Sequence, residues 1–89
     1  MTSEPAEQTE LSHRARAMLR AVAEGRAHLA TSREPDLYID GVPCCDQFTA
    51  HLLTHAGLIT ADQGRFGELM PATLTPEGAT AIGAVAVAA

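Results

Sequence analysis

Beyond a polar N-terminal arm, the apolar positions follow a helical rhythm first and an alternating, strand-like one afterwards. Leu11, Ala15, Met18, Leu19, Val22 and Ala23 recur at i, i+4, i+7, i+8, i+11 and i+12, a single stripe along a helix. The spacing predicts a first helix over about Glu10 to Glu24, with Thr9 as cap, Glu10 and Arg14 as an i,i+4 pair and Gly25 as terminator. Residues 1–9 are polar and acidic and read as a disordered arm ahead of one domain over residues 10–89. Leu29-Ala30-Thr31 and Leu37-Tyr38-Ile39-Asp40 are short β-prone pieces on either side of Ser32-Arg33-Glu34-Pro35, which predicts a hairpin. Gly41 is expected to break the second strand.

A second helix is predicted from near Pro43 to Ala56, stopped by Gly57, with Leu58 packing back in a Schellman ending. On a helical wheel Cys45, Phe48, Leu52 and Ala56 share an apolar face with Leu53 on its flank. Asp46, Gln47, Ala50 and Thr54 lie opposite. Leu58-Ile59-Thr60 and Leu69 to Leu74 read as strands joined by a turn containing Gly64 and Gly67, and Pro71 implies an edge position for the second. Thr75 caps a last helix with Pro76 at its first position, and Ala79, Ile82 and Ala86 form its apolar side. Three main helices with a short antiparallel sheet make the fold class α+β.

The run Leu52-Leu53-Thr54-His55-Ala56-Gly57-Leu58-Ile59, a glycine-bearing turn, and then Leu74-Thr75-Pro76-Glu77-Gly78 resembles winged helix-turn-helix regulators of the MarR and PadR type. Those families end their recognition helix in a similar phrase, follow it with a wing hairpin, and open the next element with "L-T-x-x-G". The resemblance implies a small winged helix in which the helix from Pro43 to Ala56 enters the major groove of double-stranded DNA. Gln47, His51 and Thr54 would then face bases and Arg65 would be the wing-tip contact, with Arg33 a further candidate for the DNA side. Such a regulator would act as a homodimer. The C-terminal helix is the expected dimer element, because Ile82, Val85 and Val87 have little monomer core left to fill.

Charge changes that picture. The chain has 89 residues and a net charge of −5, and all six of its basic residues are arginine. Nucleic-acid binders carry a basic excess or stripe, because phosphate contacts dominate affinity. The predicted recognition helix has no arginine, and Asp46 sits within it. The alternative is therefore a winged-helix protein-interaction module, an adaptor that binds a protein partner without DNA. Met1 to Glu10 has no signal-peptide pattern, and the apolar run Ala79 to Ala89 is too short to span a bilayer, so a cytoplasmic protein with reduced cysteines is expected.

Candidate chemistry is sparse. Cys44, His51 and His55 fall within a narrow arc of a helix and could hold zinc, with Cys45, His28, Asp40 or water as fourth ligand. The competing reading, semi-buried cysteines and surface histidines, is preferred here. Cys44 and Cys45 at a helix start could alternatively sense redox state. No Ser-His-Asp pattern, phosphate loop or paired carboxylates emerge, so the expectation is a protein that is not an enzyme.

Overall fold

The computed structural model describes residues 11–83. In chain order these form α1 (His13–Ala23), β1 (Ala27–Ala30), β2 (Leu37–Ile39), β3 (Val42–Pro43), α2 (Gln47–His55), β4 (Ile59–Ala61), β5 (Leu69–Leu74) and α3 (Pro76–Ala81). The fold is α+β: three helices and a five-stranded antiparallel sheet of order β3-β2-β1-β5-β4. The core is made by Met18, Leu19 and Val22 of α1, Ala50 and Leu53 of α2, and the inward strand positions Ala27, Leu29, Leu37, Ile59 and Ala72.

Helix α1 starts later than the spacing predicts. Ser12, in extended conformation, accepts the Ala15 N–H at 3.0 Å and sets the start at His13. The expected Thr9 cap and Glu10–Arg14 pair involve residues outside those described; Arg14 pairs with Asp46 at 3.1 Å. The C-terminus closes as predicted. Gly25 adopts φ +80°, its N–H bonds Val22 O, and the Arg26 N–H bonds Ala21 O, the double bond of a Schellman motif.

The expected β1–β2 hairpin forms, with Ala27 opposite Ile39 and Leu29 opposite Leu37. Gly41 does not end the sheet there. Asp40 (φ 55°) and Gly41 (φ 81°) make a two-residue turn with both central residues left-handed, so Val42 returns to pair with Ile39. Val42 and Pro43 are thereby held in a strand, and the second helix begins at Gln47 rather than near Pro43. Asp46 is its cap, accepting the Thr49 N–H at 3.0 Å.

Strand β5 is interior, not at the edge that Pro71 suggested. Thr31 N–H donates to Glu68 O at 2.9 Å, and hydrogen-bonded positions alternate along an antiparallel ladder. At the pair His28/Pro71 the proline nitrogen therefore faces the β4 side, where β4 has already ended at Ala61 opposite Ala72. The proline removes no ladder bond.

Where α2 ends and α3 begins, the two halves of the molecule lock. Gly57 (φ 78°) N–H bonds Thr54 O and Leu58 N–H bonds Leu53 O, the predicted Schellman ending. Thr75 caps α3 through the Gly78 N–H at 3.0 Å, and its hydroxyl donates to Gly57 O at 2.6 Å. The Thr75 N–H bonds Leu58 O at 3.1 Å. Gly78 is buried so closely on this carbonyl that a Cβ there would overlap Leu58 O. Ile82, expected at a dimer interface, packs half-buried on the core of its own chain; Val85, Val87 and Ala86 lie outside the described residues.

Gly78→Ala should lower stability by about 1–3 kcal/mol through overpacking against backbone that cannot rotate away. Thr75→Ala should cost about 1 kcal/mol as a lost cap. Urea unfolding of both variants checks the order, and a Gly78→Ala midpoint equal to wild type would refute the close approach.

Candidate functional site

Helix α2 carries most of the residues expected to act, and the structure rotates it relative to expectation. Ala50 and Leu53 are the buried positions, whereas Phe48 is 74% exposed and Leu52 52% exposed. Cys45 and Ala56, placed on the same predicted core face, are exposed too. The face assigned to the core by its larger side chains points outward. Ala50 is fully buried in the core cluster that α2 shares with α1 and the sheet, and close packing at that position suits a methyl rather than a phenyl ring. A visible signal existed, since α2 has apolar residues on two sides, more than one buried stripe requires.

The three residues expected to face bases are occupied within the fold. Gln47 turns inward: its Oε1 accepts the Leu37 N–H at 2.8 Å, and its Nε2 donates to Leu37 O at 3.0 Å and Cys44 O at 2.7 Å. It fastens the start of α2 to β2. Thr54 donates to His51 O at 2.9 Å and lines a cleft of about 220 Å³ with Thr31, Thr60 and Asp62. His51 lies against the β1–β2 loop, Nδ1 3.2 Å from Glu34 Oε1 and Nε2 3.1 Å from Asp36 Oδ1. His55 reaches the other Glu34 oxygen at 3.7 Å. Two carboxylates therefore flank the helix that was expected to meet phosphates.

Arg65 and Arg33 stand apart from this helix in the chain. Arg65 is in the exposed turn between β4 and β5, where its N–H donates to Glu68 Oε1 at 2.8 Å. The next residue, Phe66, is 86% exposed. Gly67 (φ 86°) gives the turn its left-handed step, and its N–H ties the loop to Thr31 O at 2.7 Å. Arg33 is exposed in the β1–β2 loop, and neither arginine forms an ion pair among the described residues.

The zinc candidates do not meet. Cys44 packs partly buried against the core, and His51 and His55 engage carboxylates. Among the described residues no three His, Cys, Asp or Glu side chains converge on a point that could hold a metal ion. Cys45 is exposed and Cys44 half-buried, both as free thiols.

Among the described residues, Asp46 is the carboxyl whose acidity is strongly altered. The Thr49 hydroxyl (2.5 Å), the Thr49 N–H and the Arg14 guanidinium hold it at about 2. These bonds favour the ionised form and tie the α2 start to α1.

Comparison with models of known protein families, with characterised proteins and with solved structures finds no match to this chain. No described helix is long and apolar enough to cross a membrane.

Gln47→Ala should destabilise by about 1–3 kcal/mol, because the Leu37 backbone loses a donor and an acceptor together. Faster hydrogen exchange at the Leu37 amide would locate the loss, and unchanged exchange there would contradict it. Asp46, with its acidity raised, contributes stability that is present above the ordinary carboxylate range and lost as pH falls toward about 2. Between about pH 4 and 2 the wild-type urea midpoint should therefore fall more steeply than that of Asp46→Asn, while parallel curves would rule the linkage out.

Proposed function

We propose that this chain is a protein-interaction module of winged-helix layout, which docks a partner through the outward face of α2. The single observation that carries the reading is the exposure of Phe48 and Leu52, one helical turn apart on that face. Exposed aromatic and aliphatic residues at this spacing are the anchors of helix-in-groove recognition. Electrostatics supports a protein rather than a duplex as the occupant. From Glu34 to Gly64 the sequence has Glu34, Asp36, Asp40, Asp46 and Asp62 and no lysine or arginine. A helix flanked in this way would meet phosphates with like charge. The winged-helix layout is supported by the joining of the two phrases that carry the resemblance: Gly57-Leu58 lies against Thr75 and Gly78.

A DNA-binding regulator is the second reading. Arg16, Arg20, Arg33 and Arg65 form no ion pair among the described residues and remain available to phosphates. On this reading the arginines act without base contacts from Gln47, whose amide is engaged with backbone.

The test is a photo-crosslinking residue in place of Phe48, expressed in the source cells. A defined protein adduct that disappears with Leu52→Asp is expected; adducts to nucleic acid alone, or none, would overturn the reading. Phe48→Ala and Leu52→Ala should change stability by less than about 1 kcal/mol each, because exposed side chains give up little buried area. A matched anisotropy titration with duplex DNA should show no binding that Arg65→Ala weakens.

A further inference from the structure

The cleft of about 220 Å³ opens where the ends of β1 and β4 meet the last turn of α2, and neither Phe48 nor Leu52 takes part in it. Leu29 and Ile59, both core residues, and Pro35 supply its apolar lining. Thr31, Ser32 and Thr54 line it as half-buried hydroxyl residues, with Asp62 exposed beside them. Among the described residues no arginine or histidine lines it, although Arg33 and Arg65 belong to the adjoining loops. At about 30 Å³ for each water in the liquid, the cleft has room for about seven waters. That is smaller than a drug-sized pocket and suits about four or five carbons with one polar head. The walls are already held in place. Thr31 joins the β1–β2 and β4–β5 loops: its N–H donates to Glu68 O at 2.9 Å, and its carbonyl accepts the Gly67 N–H at 2.7 Å. Its hydroxyl accepts the Gly64 N–H at 3.2 Å. On the α2 side, His51 holds Glu34 and Asp36 of the β1–β2 loop at 3.2 and 3.1 Å. A preformed cleft loses little binding energy to loop ordering.

We infer that this cleft takes a small alkylammonium group, its chain against Leu29, Ile59 and Pro35 and its nitrogen toward Asp62 and the Thr54 hydroxyl. An ammonium brings three donors and no acceptor, so the site must supply acceptors. Asp62 is the carboxylate in the lining, and it forms no ion pair among the described residues. The Thr54 hydroxyl gives its hydrogen to His51 O at 2.9 Å, which leaves its oxygen lone pairs to accept. A carboxylate ligand of the same size would meet Asp62 with like charge and find no cation in the lining. A free amine and the lysine side chain of a protein partner share this chemistry. The site is separate from the outward face of α2, so the inference does not depend on that docking reading.

Proton–nitrogen correlation spectra of the full chain, titrated to roughly 50 mM ligand in about 0.15 M salt, test the inference. The probe n-butylammonium should shift the Thr31, Thr54, Ile59 and Asp62 amides saturably. Its midpoint should be roughly 1–10 mM, in keeping with so small a ligand on one exposed carboxylate. Butyrate should shift none of them. Asp62→Asn should weaken the amine about three- to fivefold, the range of an exposed ion pair. Glu77→Gln removes the same charge from α3 and should leave the midpoint unchanged, which separates a local contact from the net charge of −5. Nα-acetyl-lysine methylamide distinguishes the two sources. Binding as tight as that of n-butylammonium supports a partner's lysine, and much weaker binding supports a free amine. Scattered or unsaturable shifts, an equal response to butyrate, or Asp62→Asn indistinguishable from Glu77→Gln would overturn the inference.

Discussion

The contact on which the rest of the molecule depends is the meeting of Gly57-Leu58 with Thr75 and Gly78. One carbonyl, Leu58 O, accepts the Thr75 N–H and lies where a side chain at Gly78 would be. One hydroxyl, on Thr75, caps α3 and reaches back to Gly57 O. Four elements begin or end within these few residues: α2, β4, β5 and α3. Because glycine alone fits the approach, the direction in which α2 leaves the sheet is set at its C-terminal end.

The other end of α2 is set by polar contacts. Gln47 holds the backbone of Leu37 and Cys44, and Asp46 joins the helix start to Thr49 and to Arg14 of α1. Pinned at both ends, the helix keeps one rotation about its axis. Ala50 and Leu53 then face the core, and Phe48 and Leu52 have no place inside. The outward apolar face follows from this double constraint. Residues that looked chemical, such as Gln47 and His51, make contacts that hold the helix, and residues that looked structural, Phe48 and Leu52, are the ones left exposed.

The electrostatic arrangement extends this division. All six arginines lie before Glu34 or after Gly64, so the segment between them carries five carboxylates and no cation other than histidine. Arg14 and Arg26 are drawn toward the acidic half by Asp46 and Asp40, while the others stay unpaired among the described residues. The groove between α1 and the β2–β3 hairpin is lined by both signs, Arg14 and Arg26 with Asp46.

Local sequence determined the punctuation of this fold. Gly25 and Gly57 end helices because a left-handed residue closes the last turn, and Thr75-Pro76 opens one because its hydroxyl and missing N–H suit a helix start. The β1–β2 hairpin and both strands of the second hairpin were legible for similar reasons. Tertiary structure decided the rest. Pro71 lies in an interior strand because its neighbour β4 stops one residue short of it, which no local pattern records. The conversion of Gly41 from strand end to hairpin turn depended on Val42 finding Ile39. The face of α2 depended on which of two apolar stripes fits the common core, where Ala50 and Leu53 are buried, a matter of close packing between segments distant in sequence. Periodicity specifies that a helix has an apolar face; only the volume available against its neighbours specifies which face is buried.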